Sequence, residues 1–118
     1  MTKPTTPADL SAKVLECIRL YTDPDRRIRK EYIASYCGLE WSDTVDRQIR
    51  DAVNELRKQG HPIISSAGQA GYWYDPQAVD TLIADYQSRI ADMSETVRAL
   101  ERARRQHETK AIRQLGLI

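Results

Sequence analysis

The sequence has little of what several classes of protein require. It contains two cysteines in 118 residues, and they form no Cys-x-x-Cys pair, which argues against a disulfide framework and favours reduced thiols. No apolar run approaches the roughly 18 residues of a membrane span, and the N-terminus lacks the apolar core of a signal peptide. Basic residues exceed acidic ones by only 18 to 17, so nucleic-acid binding would have to depend on local clusters of charge. We therefore expect a cytoplasmic protein with no membrane partner.

The sequence also lacks the residue patterns of an active site. Its two histidines, His61 and His107, are far apart, and no glycine-rich phosphate loop or metal-ligand spacing occurs. The carboxylates are dispersed along predicted helix faces instead of being grouped. We expect no catalytic residues, no metal site and no cofactor, and the chain is not predicted to be an enzyme.

The first helix is predicted to follow a flexible polar leader, residues 1–7. Thr6 can cap its N-terminus, and Pro7 suits the first helical position, where a missing N–H costs no hydrogen bond. Apolar residues then recur at three- and four-residue steps until the helix ends near Tyr21. These residues are Leu10, Val14, Cys17, Ile18 and Tyr21.

Two further helices are predicted before residue 60. The shorter one covers about residues 29–37 and ends at Gly38, which can adopt a left-handed conformation. The longer one begins at a cap formed by Ser42 or Asp43, runs to Gln59, and has the clearest apolar periodicity in the chain. Its predicted buried stripe consists of Val45, Ile49, Ala52, Val53 and Leu56.

A β-hairpin is predicted immediately after the third helix. Two short β-type runs, residues 62–66 and 72–74, are separated by a tip of small and polar residues, 67–71. Helix, short helix, turn, longer helix and hairpin is the element order of a winged helix-turn-helix domain. The predicted fold class is therefore mainly α with a small β-hairpin (α+β). Residues 8–75 would form the winged helix-turn-helix, and residues 76–118 a long C-terminal coiled-coil helix.

The stretch "IRDAVNELRKQGHPIISSAGQAGYWY" carries a closer resemblance. Its helix runs into Leu-Arg-x-x-Gly, an isoleucine, two serines and a glycine-containing tip before Gly-Tyr. This order is similar to the N-terminal DNA-binding domain of the biotin operon repressor and to small winged-helix proteins of phages and prophages. The resemblance covers about residues 10–75 and implies DNA binding in a bacterial or phage-infected cell. Residues 76–118 are too short for a biotin ligase domain, so that activity is not implied.

The outer face of the third helix carries side chains suited to base recognition. Arginine can read guanine, and asparagine can read adenine, through paired hydrogen bonds in the major groove. The predicted base-reading residues are Arg47, Arg50 and Asn54. The alternative is a solvated helix face on which neighbouring carboxylates pair with the cations within one turn. These carboxylates are Asp46, Asp51 and Glu55.

Phosphate contacts are predicted from three segments of the domain. The region before the second helix crosses the DNA backbone in a helix-turn-helix unit, and the wing reaches the backbone nearby. The end of the third helix also carries cations suited to phosphates. The predicted phosphate-contacting residues are Arg26, Arg27, Arg29, Lys30, Arg57, Lys58, Ser65, Ser66 and Gln69. Solvated loop charge is the alternative for the cluster that precedes the second helix.

A heptad pattern dominates the C-terminal segment. Apolar residues alternate at four- and three-residue steps until the pattern weakens at Arg104 and His107, which predicts a homodimeric coiled coil over residues 79–103. A higher oligomer stays open, and the alternative is an amphipathic helix folded back on its own domain. From residue 98 onward six basic residues against two acidic ones could hold a protein partner or DNA. The predicted dimerisation residues are Val79, Ile83, Tyr86, Ile90, Met93, Val97 and Leu100.

The sequence therefore predicts a dimeric, sequence-specific double-stranded DNA-binding protein. It would be a transcriptional regulator or a phage-type replication or packaging accessory. Helix 42–59 would read the major groove, and the wing, residues 65–71, would touch the backbone. The alternative is a protein-interaction adaptor whose winged helix and coiled coil bind a protein partner such as a polymerase subunit.

Overall fold

A computed structural model describes residues 3–66 and 68–116 of the chain. The described chain is mostly helical and contains one small antiparallel sheet of two strands. This confirms the predicted class at the level of mainly α with a small β-hairpin. The elements are α1 (Pro7–Ile18), α2 (Lys30–Tyr36), α3 (Asp43–Lys58), β1 (Ile63–Ser66), β2 (Gln69–Tyr74) and α4 (Val79–Gln114).

Helix α1 begins as predicted and ends one turn earlier than predicted. The amide of Asp9 donates to Oγ1 of Thr6 at 3.1 Å, which makes Thr6 the cap, and Pro7 occupies the first helical position. The helix stops at Ile18 and does not extend to Tyr21. The carbonyl of Tyr21 instead accepts a hydrogen bond of 2.7 Å from the amide of Tyr74, which ties the segment after the helix to β2. Residues 1 and 2 of the predicted leader lie outside the described residues.

Helix α2 ends at the predicted glycine, and α3 has the predicted cap and buried positions. Gly38 and Gly60 follow these helices with φ of +73° and +95°, a left-handed conformation that glycine adopts without strain. Ser42 caps α3 by accepting a hydrogen bond of 3.1 Å from the amide of Val45. The buried residues of α3 are the five predicted ones: Val45, Ile49, Ala52, Val53 and Leu56.

The hairpin has a longer second strand and a shorter tip than predicted. Strand β2 begins at Gln69 and not at Tyr72, and Ser66 pairs directly with Gln69. The pairing is irregular between Ile64 and Ser66, so β2 contains more residues than β1. Ala67 lies outside the described residues.

A third segment pairs with the hairpin, which the sequence did not predict. Ile28 and Tyr72 exchange two backbone hydrogen bonds of 2.9 and 2.8 Å, so the chain before α2 lies along β2. Gly71 permits this approach, because a Cβ atom there would lie 2.7 Å from Cβ of Arg27. Its φ of +111° also disfavours other residues. Gly71 therefore belongs to the strand, and the prediction that it forms part of the tip is wrong.

Helices α1 to α3 and the hairpin share one hydrophobic core. Its fully buried side chains include Ile18, Ile33, Ile49 and Ile63, one from each of these three helices and one from β1. The two cysteines, Cys17 and Cys37, are buried in the same core and form no disulfide. Burial raises the pKa of Cys17 to about 12 and also raises the pKa of Cys37, so both thiols stay protonated at neutral pH.

The chain divides into two compact units, residues 1–82 and residues 83–118. The first unit contains the shared core and the beginning of α4, where a 3-10 turn, Pro76–Ala78, leads into the helix and Leu82 is buried. The second unit consists of the remainder of α4, whose apolar side chains are largely exposed.

Candidate nucleic-acid interface

One flank of α3 presents basic and amide side chains to solvent. Arg47, Arg50, Asn54 and Lys58 are all exposed, and all lie away from the buried stripe of the helix. With 3.6 residues per turn, these four positions fall within about 80° of one another around the helix axis. The helix therefore carries the predicted base-reading residues together on a single exposed flank.

The other exposed flank of α3 is acidic and faces α1. Gln48, Asp51 and Glu55 line a groove of about 820 Å³ whose opposite wall is formed by α1 and residues 4–6. Two of the three carboxylates that were expected to pair with these cations, Asp51 and Glu55, line this groove, and Asp51 is also one turn from Arg47 along the helix. The positions of Arg47, Arg50 and Lys58 are thus bordered by Asp46 on one side and by Asp51 on the other.

Asp46 connects the basic flank of α3 to the start of α2. Its carboxylate lies 2.5 Å from Nζ of Lys30 and 3.3 Å from Nε of Arg50. The hydrogen bond from Lys30, reinforced by the charges of Lys30 and Arg50, holds the pKa of Asp46 below its usual value. The predicted pairing within one turn is therefore present for Asp46 and Arg50, but the Arg50 side chain stays 55% exposed. One carboxylate positions two cations from different helices.

Tyr72 is the residue of the hairpin that lies among these charged groups. Burial raises the pKa of its hydroxyl, while the positive charges of Lys30, Arg57 and Arg50 oppose that rise. The side chain thus stays neutral next to four charged groups from α2 and α3, including Asp46. The sequence placed Tyr72 in a β-type run, residues 72–74, and no local pattern indicated its position among these charges.

Two of the predicted phosphate-contacting arginines are hydrogen-bonded to the hairpin. Arg57 donates from Nε to the carbonyl of Ile63 at 2.8 Å and from Nη2 to Oγ of Ser65 at 3.1 Å. Arg27 donates from Nη1 to Oγ of Ser66 at 2.6 Å. Both serines were predicted to contact phosphate as well. All four side chains therefore have structural roles within the protein, irrespective of any contact with DNA.

Three of the five remaining predicted phosphate-contacting residues line a second groove. This groove, of about 300 Å³, lies between the start of α2 and the hairpin. Arg29 and Lys30 lie on the helix side, and Ser65, Gln69 and Tyr72 on the hairpin side. Glu31 is the acidic residue among those that line it. Arg26, Arg29, Lys58 and Gln69 are exposed.

The predicted dimerisation residues have mixed exposure. Val79 and Tyr86 are half-buried, and the guanidinium of Arg89 lies 4.8 Å from the centre of the Tyr86 ring. The other five are exposed, at fractions between 47% and 67%. These five are Ile83, Ile90, Met93, Val97 and Leu100.

Comparison with known proteins identifies no relative. No protein-family model matches the chain, and no curated protein or solved structure matches it. Within residues 3–66 and 68–116, none of the helices combines the length and the apolar character that crossing a membrane requires. Over the same residues, no three His, Cys, Asp or Glu side chains form a group that could hold a metal ion.

Proposed function

We propose that this chain is a sequence-specific double-stranded DNA-binding protein of the winged helix-turn-helix type. Helix α3 enters the major groove, α2 lies across the backbone, and the β1–β2 hairpin is the wing. The order of the elements supports this assignment, as does the pairing of Ile28 with Tyr72, which joins the segment before α2 to the hairpin.

The observation that carries the proposal is the exposed basic flank of α3. Arg47, Arg50 and Asn54 have the donors that read guanine and adenine edges, and they share one side of a helix that is long enough to cross a major groove. The carboxylates Asp51 and Glu55 line the groove beside α1, at the edge of this flank. This distribution favours an anionic ligand on one side of α3.

Sequence-independent affinity comes from the exposed cations that surround this flank. Arg26 and Arg29 precede α2, and Lys58 ends α3, so a duplex seated on α3 would bring phosphates to both sides. Gln69 adds a polar side chain from the hairpin. The wing carries no lysine or arginine at its tip, so its contribution to affinity is small compared with that of the helices.

The biological role that fits this site is transcriptional regulation, or a phage-type accessory role in replication or packaging, in the bacterial cytoplasm. Each of these roles needs recognition of defined DNA sites. The adaptor function, in which the same surfaces bind a protein such as a polymerase subunit, needs no base recognition, so a DNA-binding experiment separates the two.

The test is selection of bound duplexes from a random pool, followed by affinity measurements on the selected site at two salt concentrations. We expect the pool to converge on a defined motif and the affinity to fall steeply as salt rises, because binding releases counterions from the DNA. A selected duplex with its motif scrambled is the control for specificity. Absence of binding at low salt would contradict the proposal and favour the adaptor.

A further inference from the structure

Helix α4 leaves an apolar stripe exposed over three heptads. Ile90 is 62% exposed and Leu100 is 65% exposed, and the other large apolar residues of the stripe between Ile83 and Leu100 are also accessible, apart from the half-buried Tyr86. Alternating three- and four-residue steps keep these side chains on one side of the helix, which is the geometry of a coiled-coil seam. Covering this seam would remove apolar surface from water.

Charge is distributed unequally along the same helix. Residues 79–97 contain four carboxylates and one arginine, whereas residues 98–114 contain six basic residues and two glutamates. A parallel pair of such helices would place the acidic halves together and the basic halves together. Coiled-coil helices lie about 10 Å apart, comparable with the screening length at 0.1 M salt, so this repulsion would persist in ordinary buffers. Antiparallel pairing with Ile83 at the level of Leu100 instead brings Asp85 level with Arg98 of the other copy and Asp80 close to the level of its Arg102, and it also opposes the helix dipoles.

The packing of the seam points in the same direction. If Ile83 faces Leu100 of another copy, Ile90 faces Met93 and Tyr86 faces Val97. Every layer then combines one β-branched side chain with one that is unbranched at Cβ, which fills space evenly. A parallel pair would instead place two Tyr86 side chains in one layer, where both hydroxyl groups would need partners.

We propose that a second copy of this chain covers the stripe and runs antiparallel to the first, with Ile83 of one copy opposite Leu100 of the other. This dimer forms whether or not the chain binds DNA, and its helices have one orientation and one register.

Cysteine cross-linking tests both features. Two variants, Ile83→Cys and Leu100→Cys, are oxidised separately and as a mixture, and one of them carries a tag so that the mixed dimer has its own mass. A disulfide needs Cα atoms within about 7 Å, so in the antiparallel dimer only the mixture forms a covalent dimer. The wild-type chain controls for the buried Cys17 and Cys37. A mixture of Ser88→Cys and Glu95→Cys, which lie at one level on the outer faces, should not cross-link.

Each other outcome overturns the proposal. Efficient cross-linking of Leu100→Cys with itself would show a parallel pair. A dimer in sedimentation equilibrium without a cross-link in the mixture would show a different interface or register. A monomer in sedimentation equilibrium at the concentrations of the cross-linking experiment would show that no second copy covers the stripe.

Discussion

The guanidinium of Arg27 lies over the indole ring of Trp73, with Cζ 4.4 Å from the ring centre. The same side chain donates to the carbonyl of Pro24 at 2.7 Å and to Oγ of Ser66 at 2.6 Å. One arginine therefore joins the segment between α1 and α2 to both strands of the hairpin. The hairpin position is thus maintained by a residue that, in the sequence, belongs to a basic cluster suited to phosphate contacts.

Replacing Arg27 by alanine should destabilise the fold by about 1–2 kcal/mol, because it removes a cation–π contact and a hydrogen bond between segments. Urea denaturation followed by circular dichroism measures this change. The matched control is Arg26→Ala, which removes the same charge from the exposed neighbouring residue and should leave the urea midpoint almost unchanged. Equal midpoints for both variants would mean that Arg27 has no structural role.

Gly71 should tolerate substitution far less well than Gly68. Both have positive φ, +111° and +83°, so alanine at either site costs about 1–2 kcal/mol from backbone strain. A Cβ at Gly71 would also lie 2.7 Å from Cβ of Arg27, whereas nothing lies within 4 Å at Gly68. We therefore expect Gly71→Ala to lower the thermal midpoint clearly more than Gly68→Ala. Similar losses for the two variants would contradict the close approach of residue 27 to β2.

Arg50 should contribute to base discrimination. Arg50→Ala is expected to weaken binding to the selected DNA site by about 1–3 kcal/mol and to relax the preference at one base pair. Gln48→Ala, on the acidic flank of the same helix, is the control and should bind the selected site like the wild type. If Arg50→Ala weakens binding to selected and random duplexes equally, Arg50 is not a base-reading residue.

Arg29 should act on all DNA sequences alike. Its alanine variant is expected to bind selected and random duplexes less tightly by the same factor and to reduce the salt slope by about one, because one phosphate contact is lost. Lys13→Ala removes the same charge from α1, near Cys37, and should leave the slope unchanged. A loss confined to the selected site would assign Arg29 to base recognition instead.

Two aspartates in the seam of α4 should dissociate the dimer. The double variant Ile90→Asp/Val97→Asp is expected to sediment as a monomer with an intact fold and to lose most of its affinity for the selected site, because burying ionised carboxylates in an apolar coiled-coil seam is costly. Ala84→Asp/Ala91→Asp adds the same charges at the positions that follow Ile83 and Ile90, which lie outside the seam, and should stay dimeric. If Ile90→Asp/Val97→Asp still sediments as a dimer, the interface lies elsewhere.

The helices of the first unit could be predicted closely because their signals are local. Thr6, Ser42 and the two glycines that follow α2 and α3 act on amides and dihedral angles within a few residues. The buried stripe of α3 follows from the helical period alone. The predictions that depended on how segments meet were less accurate. Gly71 resembled a turn residue, and nothing near Ile28 indicated a partner in β2.

The sequence by itself determined the order of the elements, their caps, the buried face of α3 and the basic residues available on its outer face. Only the tertiary structure decided which of those cations hold the hairpin and which remain exposed. The physical reason is distance along the chain, since Arg27 and Ser66 are 39 residues apart and no short pattern contains both. A hydrogen bond between them exists only after the core has packed and has brought the segment before α2 against the hairpin.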